Sequence, residues 1–240
     1  MASNSKSVLL LFSSSEIGGA ERSLSRMAFA NSNSSLSYQL ATFGSAGSWS
    51  NWVESKSIEC YCFNYKTSLL LKHINLHKPD VIYIDYLNIC ASFRIRGGIN
   101  AGSYTIVKAI AEELRGLAVE FNVPIISATQ TNRAGFSSSD IGLEDTSESF
   151  GLPATADFML AISQTEELEH LNQYMVKQLK NRYADPSFHR RFVVGVDKSK
   201  MRLFDVEQSA QKELVDDTPL FDRTSGSSSK DLKSMFDDFK

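Results

Sequence analysis

The sequence predicts an α/β protein: a mostly parallel sheet flanked by helices, closed near its end by an antiparallel hairpin. Three observations predict it. Short apolar runs alternate with stretches of helical periodicity, the pattern of strands joined by crossover helices. Two of the apolar runs end in a polar side chain that a parallel sheet would present at its C-terminal edge, where ligands of open α/β folds bind. After Phe192 the spacing changes to two β-type runs separated by a short turn.

The 240 residues are 42% hydrophobic and 22% charged, an ordinary globular composition. A formal net charge of -3 excludes a globally basic protein that coats nucleic acid, but not one that confines basic groups to a pore. Cys60, Cys62 and Cys90 make neither a disulfide framework nor a metal-ligand set. Cys60 and Cys62 share one strand face, as thiols in a reducing compartment. The apolar run near the N-terminus is too short to span a membrane and lacks a small-residue cleavage pattern, so the expected location is cytoplasmic.

Residues 8–12 read as a first buried strand, followed by a loop and a helix over 20–30. Residues 39–43 and 58–63 are further short strands, and the Ser/Asn/Gly-rich stretch with Trp49 and Trp52 between them shows no period that assigns helix or strand. A helix over 69–76 leads through Lys78-Pro79-Asp80 into a strand at 81–84, and a Gly-rich loop spans 94–102. Val107, Ile110, Leu114, Leu117 and Phe121 fall on one stripe at spacings of three and four, which predicts an amphipathic helix. Pro124 opens a strand at 125–129, residues 133–149 read as a polar loop, and Ala156-Asp157 introduces a strand at 158–162. Tyr174, Val176 and Gln178 alternate with Met175, Lys177 and Leu179 as a half-buried strand. Residues 192–196 and 201–206 form the hairpin, and beyond Glu207 the Ser/Asp/Lys/Gly composition is that of a disordered tail.

The chemistry concentrates at two strand ends. Val81-Ile82-Tyr83-Ile84-Asp85 carries a carboxylate to the sheet edge, where it could hold Mg²⁺ against a transferring phosphoryl group. Ile125-Ile126-Ser127-Ala128-Thr129-Gln130 carries an uncharged amide to the corresponding edge, suited to a γ-phosphate or an attacking water. Singly, each is also an ordinary turn residue. Presented on consecutive strands joined by one long helix, the pair favours a nucleotide site.

These residues follow the order seen in DnaB-type hexameric helicases. The stretches are Asp85-Tyr86-Leu87-Asn88, Glu113-Leu114-Arg115-Gly116-Leu117-Ala118, Asn122-Val123-Pro124, Ala128-Thr129-Gln130-Thr131-Asn132-Arg133 and Asp145-Thr146-Ser147-Glu148-Ser149 with Ala156-Asp157. Over residues 78–208 the chain resembles the C-terminal RecA-like ATPase part of the replicative helicase of T-even-like tailed phages, notably at Cys90-Ala91-Ser92, Ser103-Tyr104-Thr105 and Gly151-Leu152-Pro153-Ala154-Thr155-Ala156-Asp157. The resemblance implies ATP and Mg²⁺ as cofactors, with Asp85 as the Walker B carboxylate and metal ligand, direct or through water, and Gln130 as the γ-phosphate sensor. It implies that Lys180 and Arg182 enter the neighbouring subunit's ATP site, where a guanidinium and an ammonium stabilise transition-state charge. It further implies a homo-hexameric ring around single-stranded DNA, with Arg94, Arg96 and Arg133 in pore loops contacting the phosphate backbone. Solvated loop charge is the plainer reading of those three.

One part is missing. No G-x-x-x-x-G-K-[ST] phosphate-cradling loop occurs anywhere in the chain. Instead, residues 8–12 with Glu16-Ile17-Gly18-Gly19-Ala20-Glu21-Arg22 resemble the N-terminal Rossmann-like half of retaining GT-B glycosyltransferases. Amides at Gly18 and Gly19 before a helix could receive an anion or a sugar-phosphate, or simply make a tight strand-to-helix connection. The expected organisation is therefore a partial Rossmann-like βαβ segment over 1–77, the RecA-like part over 78–208 and a tail over 209–240. The functional expectation is a replicative helicase motor fragment, inactive alone for want of its phosphate loop. The alternatives are a nucleotide-sugar-binding protein with a helicase-derived appendage and an inert assembly module. In the tail, Leu232, Met235, Phe236 and Phe239 recur at helical spacing, so residues 230–240 could dock on a replisome partner such as a sliding clamp.

Overall fold

Leu9, Leu10, Leu11 and Phe12 are all buried, Leu9 and Leu11 on one side of their strand and Leu10 and Phe12 on the other. Burial on both faces is why this strand is a continuous apolar run rather than an alternation. The computed structural model describes residues 5–30, 35–95, 102–131, 141–145, 151–185, 189–200 and 202–207. Among them β1 (Lys6–Phe12) lies at the centre of a five-stranded parallel sheet with β2 (Leu36–Thr42), β3 (Cys60–Cys62), β4 (Val81–Asp85) and β5 (Ile125–Ser127), in the order β3-β2-β1-β4-β5.

Helices cover both faces. On one, Leu24, Ala28 and Phe29 of α1 (Gly19–Ala30) and Trp49, Trp52 and Val53 of α2 (Ser48–Glu54) pack on Leu10, Phe12 and Leu40. On the other, Leu70 and Ile74 of α3 (Thr67–His77) and Leu114 of α4 (Ser103–Glu120) pack on Leu9, Leu11, Ile82 and Ile84. The stretch around Trp49 and Trp52 proves helical. Seven residues are too few for a period to show in sequence, and the buried indole of Trp49 decides the matter.

β4 inserts directly beside β1, so residues on both sides of Lys78 share one sheet. Lys78 ends α3 in the left-handed region at φ 43°. Two residues later the Asp80 carboxylate accepts the Ser7 N–H at 2.8 Å and the Lys6 ammonium at 2.9 Å, which aligns the strand entries. Those bonds, the Ser7 amide first, hold the Asp80 carboxyl below its ordinary range.

His73 on α3 is buried, with its Nε2 2.8 Å from Gln39 Oε1, while Gln39 Nε2 donates to Ser7 Oγ at 2.7 Å. Burial, and then the stacked ring of His77 at 4.2 Å, push His73 down to about 4. Because the folded-state value lies below the unfolded one, unfolding takes up a proton between pH 6.5 and 4, and stability is lost as pH falls through that window. The slope contributed by this one group is at most about 1.4 kcal/mol per pH unit. His73→Gln is expected to flatten that part of the profile. Urea denaturation of both proteins across the window checks it, and an unchanged slope would refute it.

The remaining strands form a second, antiparallel sheet in the order β6-β7-β8-β9: β6 (Phe158–Ser163), β7 (Gln173–Asn181), β8 (Arg191–Asp197) and β9 (Arg202–Asp205). The expected closing hairpin is β8–β9, and it extends a four-stranded sheet rather than the parallel one. Two short helices flank it, α5 (Gly151–Thr155) and α6 (Glu166–His170), the latter capped by Thr165 accepting the Leu168 N–H. Leu152 of α5 packs with Val107 and Ile110 of α4, which joins the second sheet to the first. Among the described residues no helix is long and apolar enough to cross a membrane.

Candidate functional site

The C-terminal rim of the parallel sheet gathers three loops. Phe12 is in register with Asp85, and Ile84 with Ser127, so β1, β4 and β5 release their chains side by side. Cross-loop bonds tie the last two together. Leu87 N–H donates to Ala128 O at 3.0 Å, Thr129 Oγ1 lies 2.7 Å from Asn88 Oδ1, and Ser127 Oγ donates to Ile84 O at 2.8 Å. Asp85 is half-buried at the end of β4, and Gln130 is exposed three residues past β5 on the same rim.

Burial, and then the negative charge of Glu21, raise the Asp85 carboxyl above its ordinary value. Glu21 belongs to the first turn of α1, and its Oε2 accepts the Gly18 N–H at 3.1 Å. The Gly18 amide, open to an anion on the sequence reading, is thus held by the protein's own carboxylate. Its neighbours are occupied too: Ile17 N–H donates to Ser48 Oγ at 3.2 Å and Glu16 N–H to Ser14 Oγ at 3.4 Å. Ser15 O accepts the Trp49 N–H at 2.7 Å. A Cβ on Gly47 would stand 2.8 Å from Ser15 O, so only glycine lets α2 approach this turn so closely. The turn after β1 is bonded to its own Ser14, to Glu21 and to Ser48 and Trp49 of α2, and the side chain on the Gly18 amide is an acid, the opposite of a phosphate cradle.

The predicted cation pair lies on the second sheet. Lys180 donates to the carbonyls of Pro153 and Ala154 at the end of α5. Arg182 reaches Asp157 at 2.6 Å and Ala154 O at 3.2 Å. Asp157 also receives Arg115 of α4 at 2.9 and 3.0 Å, and Arg115, then Arg182, hold its carboxyl low. Burial, and then Arg182, lower the Lys180 ammonium. Of these groups, Arg115 and Arg182 border an open groove of about 880 Å³ whose lining also includes Tyr104, Lys108, Glu112 and Thr155. The contacts of Lys180 and Arg182 run to α5 and Asp157, not to Asp85 or Gln130.

Arg94 is bound by Glu112 at 2.8 Å, Glu113 at 3.1 Å and Ala109 O at 2.9 Å, so its charge is already balanced on α4. Arg96, Arg133 and residues 230–240 lie outside the described residues. Sequence reasoning missed Glu21 as part of this rim and Arg115 as the second partner of Asp157. An acid in the first turn after a Gly-Gly step is a legible signal for Glu21. Nothing local announces an ion pair across 42 residues.

A five-stranded parallel sheet flanked by helices, with a four-stranded antiparallel sheet beside it, defines a RecA-like fold as the class. The fold is shared with a solved ATPase domain (TM-score 0.55, 17% identity, 84% of this chain and 75% of that one). It is shared also with a DnaB-like replicative helicase studied for its interactions with primase (TM-score 0.53, 18% identity, 86% and 52%). In sequence, 144 residues are 46% identical to the DnaB-like replicative helicase of Enterobacteria phage T4, covering 59% of this chain and 30% of that protein. A probable plasmid replicative DNA helicase of Chlamydia trachomatis is 33% identical over 84 residues, 33% of this chain and 18% of its own. Over those 144 residues the chain is similar to the DnaB-like replicative helicase of phage T4, and it spans under a third of that relative's length. No protein-family model matches the chain.

Proposed function

We propose that this chain supplies part of the ATP site of a replicative helicase motor, with Asp85 as the Mg²⁺-holding carboxylate and Gln130 as the γ-phosphate sensor. Lys180 and Arg182 are the cations offered to a neighbouring subunit's nucleotide, in a hexameric ring on single-stranded DNA. The observation that carries the reading is the shared rim: Asp85 and Gln130 leave adjacent parallel strands whose loops are bonded to each other. When bound, Mg²⁺ would neutralise charge on the β- and γ-phosphates. Asp85 fits that role, since a cation would offset the burial, and then the Glu21 charge, that raise its carboxyl. Among the described residues the turn after β1 offers no phosphate cradle, which supports the reading that hydrolysis needs a phosphate loop supplied from elsewhere. The same occupied amides weigh against the nucleotide-sugar reading.

The test is a chimera in which residues 78–208 replace the matching segment of the phage T4 helicase. It is expected to show DNA-stimulated ATP hydrolysis, and Asp85→Asn to lower kcat on the order of 10²-fold. A chimera whose hydrolysis is indifferent to Asp85→Asn refutes the assignment.

A further inference from the structure

The groove between α4 and α5 holds a second guanidinium beside that of Arg182. Arg115 lines it with Arg182, whereas Asp157, which binds both, and Lys180 are not part of its wall. Behind the arginines the packing is close. A Cβ on Gly151 would stand 2.6 Å from Lys108 Cγ, so glycine there lets α5 sit directly against α4. On the groove side the wall is open, since a Cβ on Gly116, next to Arg115, would meet nothing within 4 Å. Glycine destabilises a helix interior relative to alanine, and no packing among the described residues calls for one at 116.

Asp157 sets the two guanidiniums side by side. Its Oδ1 accepts Arg115 Nη1 at 2.9 Å and Arg182 Nη1 at 2.6 Å, and the Arg182 N–H donates to Asp157 O at 3.0 Å. Arg115 Nη1 also reaches Thr155 O at 2.6 Å, and Arg182 Nη2 reaches Ala154 O at 3.2 Å. A guanidinium presents five N–H groups in one plane. Among the described residues Arg115 spends only Nη1, and Arg182 only Nη1 and Nη2, so each keeps N–H groups for a ligand. Two donors that share one carboxylate oxygen are near enough for a single phosphoryl group to bridge.

The charge count says what kind of ligand. Arg115, Lys180 and Arg182 surround the one carboxylate of Asp157, an excess of two positive charges. Lys180 registers that excess: after burial, the charge of Arg182 is what lowers its ammonium. Elsewhere on the wall charge is balanced, with Glu112 taking Lys108 and Arg94, and Glu113 taking Arg94 again. Glu120 stands more than a helical turn beyond Arg115. A terminal phosphoryl group carries about −1.5 to −2 at pH 7 and matches the excess, whereas each phosphodiester of a nucleic acid carries about −1.

We propose that Arg115 and Arg182 form a two-armed site for a terminal phosphoryl group, assembled within one chain by Asp157, with Lys180 adding its charge from behind. That the phosphoryl group belongs to a nucleotide on a second copy of this chain rests on the ATP-site reading. The anion site itself does not.

Isothermal titration of the full chain with inorganic pyrophosphate tests it. Arg115→Gln and Arg182→Gln are each expected to weaken binding about tenfold, the loss of one charge-assisted hydrogen bond. Lys108→Gln, on the same wall but paired with Glu112, should change it less than about threefold. Both arginine pairs are about half exposed, so the variants should fold, and urea midpoints check that. In the unaltered chain, pyrophosphate should shift the side-chain Nε–H resonance of Arg115 together with that of Arg182. No binding, an Arg115 signal that stays in place, or equal losses in all three variants overturns the proposal. So does displacement of pyrophosphate by oligothymidylate at equal phosphate concentration, which would assign the groove to a nucleic-acid backbone. Failure here is distinguishable from failure of the ATP site: an active, Asp85-dependent chimera with an unresponsive groove rejects only the anion site, and pyrophosphate held by both arginines beside an Asp85-indifferent chimera rejects only the Asp85 assignment.

Discussion

Trp49→Ala is expected to remove about 3–5 kcal/mol of stability, the cost of emptying a fully buried aromatic site. The indole is 0% exposed and packs edge-on against Phe12 at 5.0 Å. Its Nε1 donates to Ser25 Oγ at 2.9 Å, a hydroxyl that is itself fully buried. The substitution therefore leaves a cavity and also orphans a buried polar group. Trp49→Phe separates the two, since a ring remains but Ser25 loses its partner, and should cost about 1–3 kcal/mol. Against a total of about 5–15 kcal/mol, the alanine variant would be barely folded at room temperature. Urea midpoints with unchanged slopes check both values. An alanine variant within about 1 kcal/mol of the parent would mean that α2 does not seat on the sheet as described. The loss would reach the rim, because the Trp49 N–H also holds Ser15 O in the turn after β1.

Arg182→Ala, made in the active chimera, is expected to lower kcat about 10³-fold with little change in KM, the usual cost of losing a guanidinium offered in trans to a transferring phosphoryl group. Stability should hardly change, because the Arg182–Asp157 pair is about half exposed and such pairs contribute about 0–1 kcal/mol. Arg182→Lys keeps the charge but not the planar fork, and should recover only part of the rate. If the group acts on a neighbour as proposed, subunits carrying Arg182→Ala and subunits carrying Asp85→Asn should complement when mixed, each completing sites the other spoils. Mixed rings with no more activity than the separate variants would sink the trans assignment. Asp157 is where the arrangement is set: with Arg115 on one side and Arg182 on the other, it holds the guanidinium against the end of α5.

The strands and long helices were legible residue by residue. The run at β1, the stripe on α4 and the alternation on β7 each encode their own burial, since a period is a statement about which side faces the core. The rim was legible as well: Asp85 and Gln130 stand at the ends of apolar runs, and a parallel sheet must place such ends together. The α2 helix was not, because seven residues do not establish a period. Nor was the closure of the turn after β1, which rests on Ser48 and Trp49 arriving from more than thirty residues away.

By itself, then, the chain's local pattern determined the α/β class, the order of its elements and the two residues at the sheet rim, because all of these follow from periodicity and from where polar side chains interrupt apolar runs. Only the tertiary structure decided three further things: that β4 lies against β1 and so joins both parts of the chain in one sheet, that Ser48 and Trp49 close the turn after β1, and that Asp157 gathers Arg115 and Arg182. Each is a pairing between residues distant in sequence or of groups brought together by a turn. No local pattern encodes it, since its energy appears only when the two partners meet.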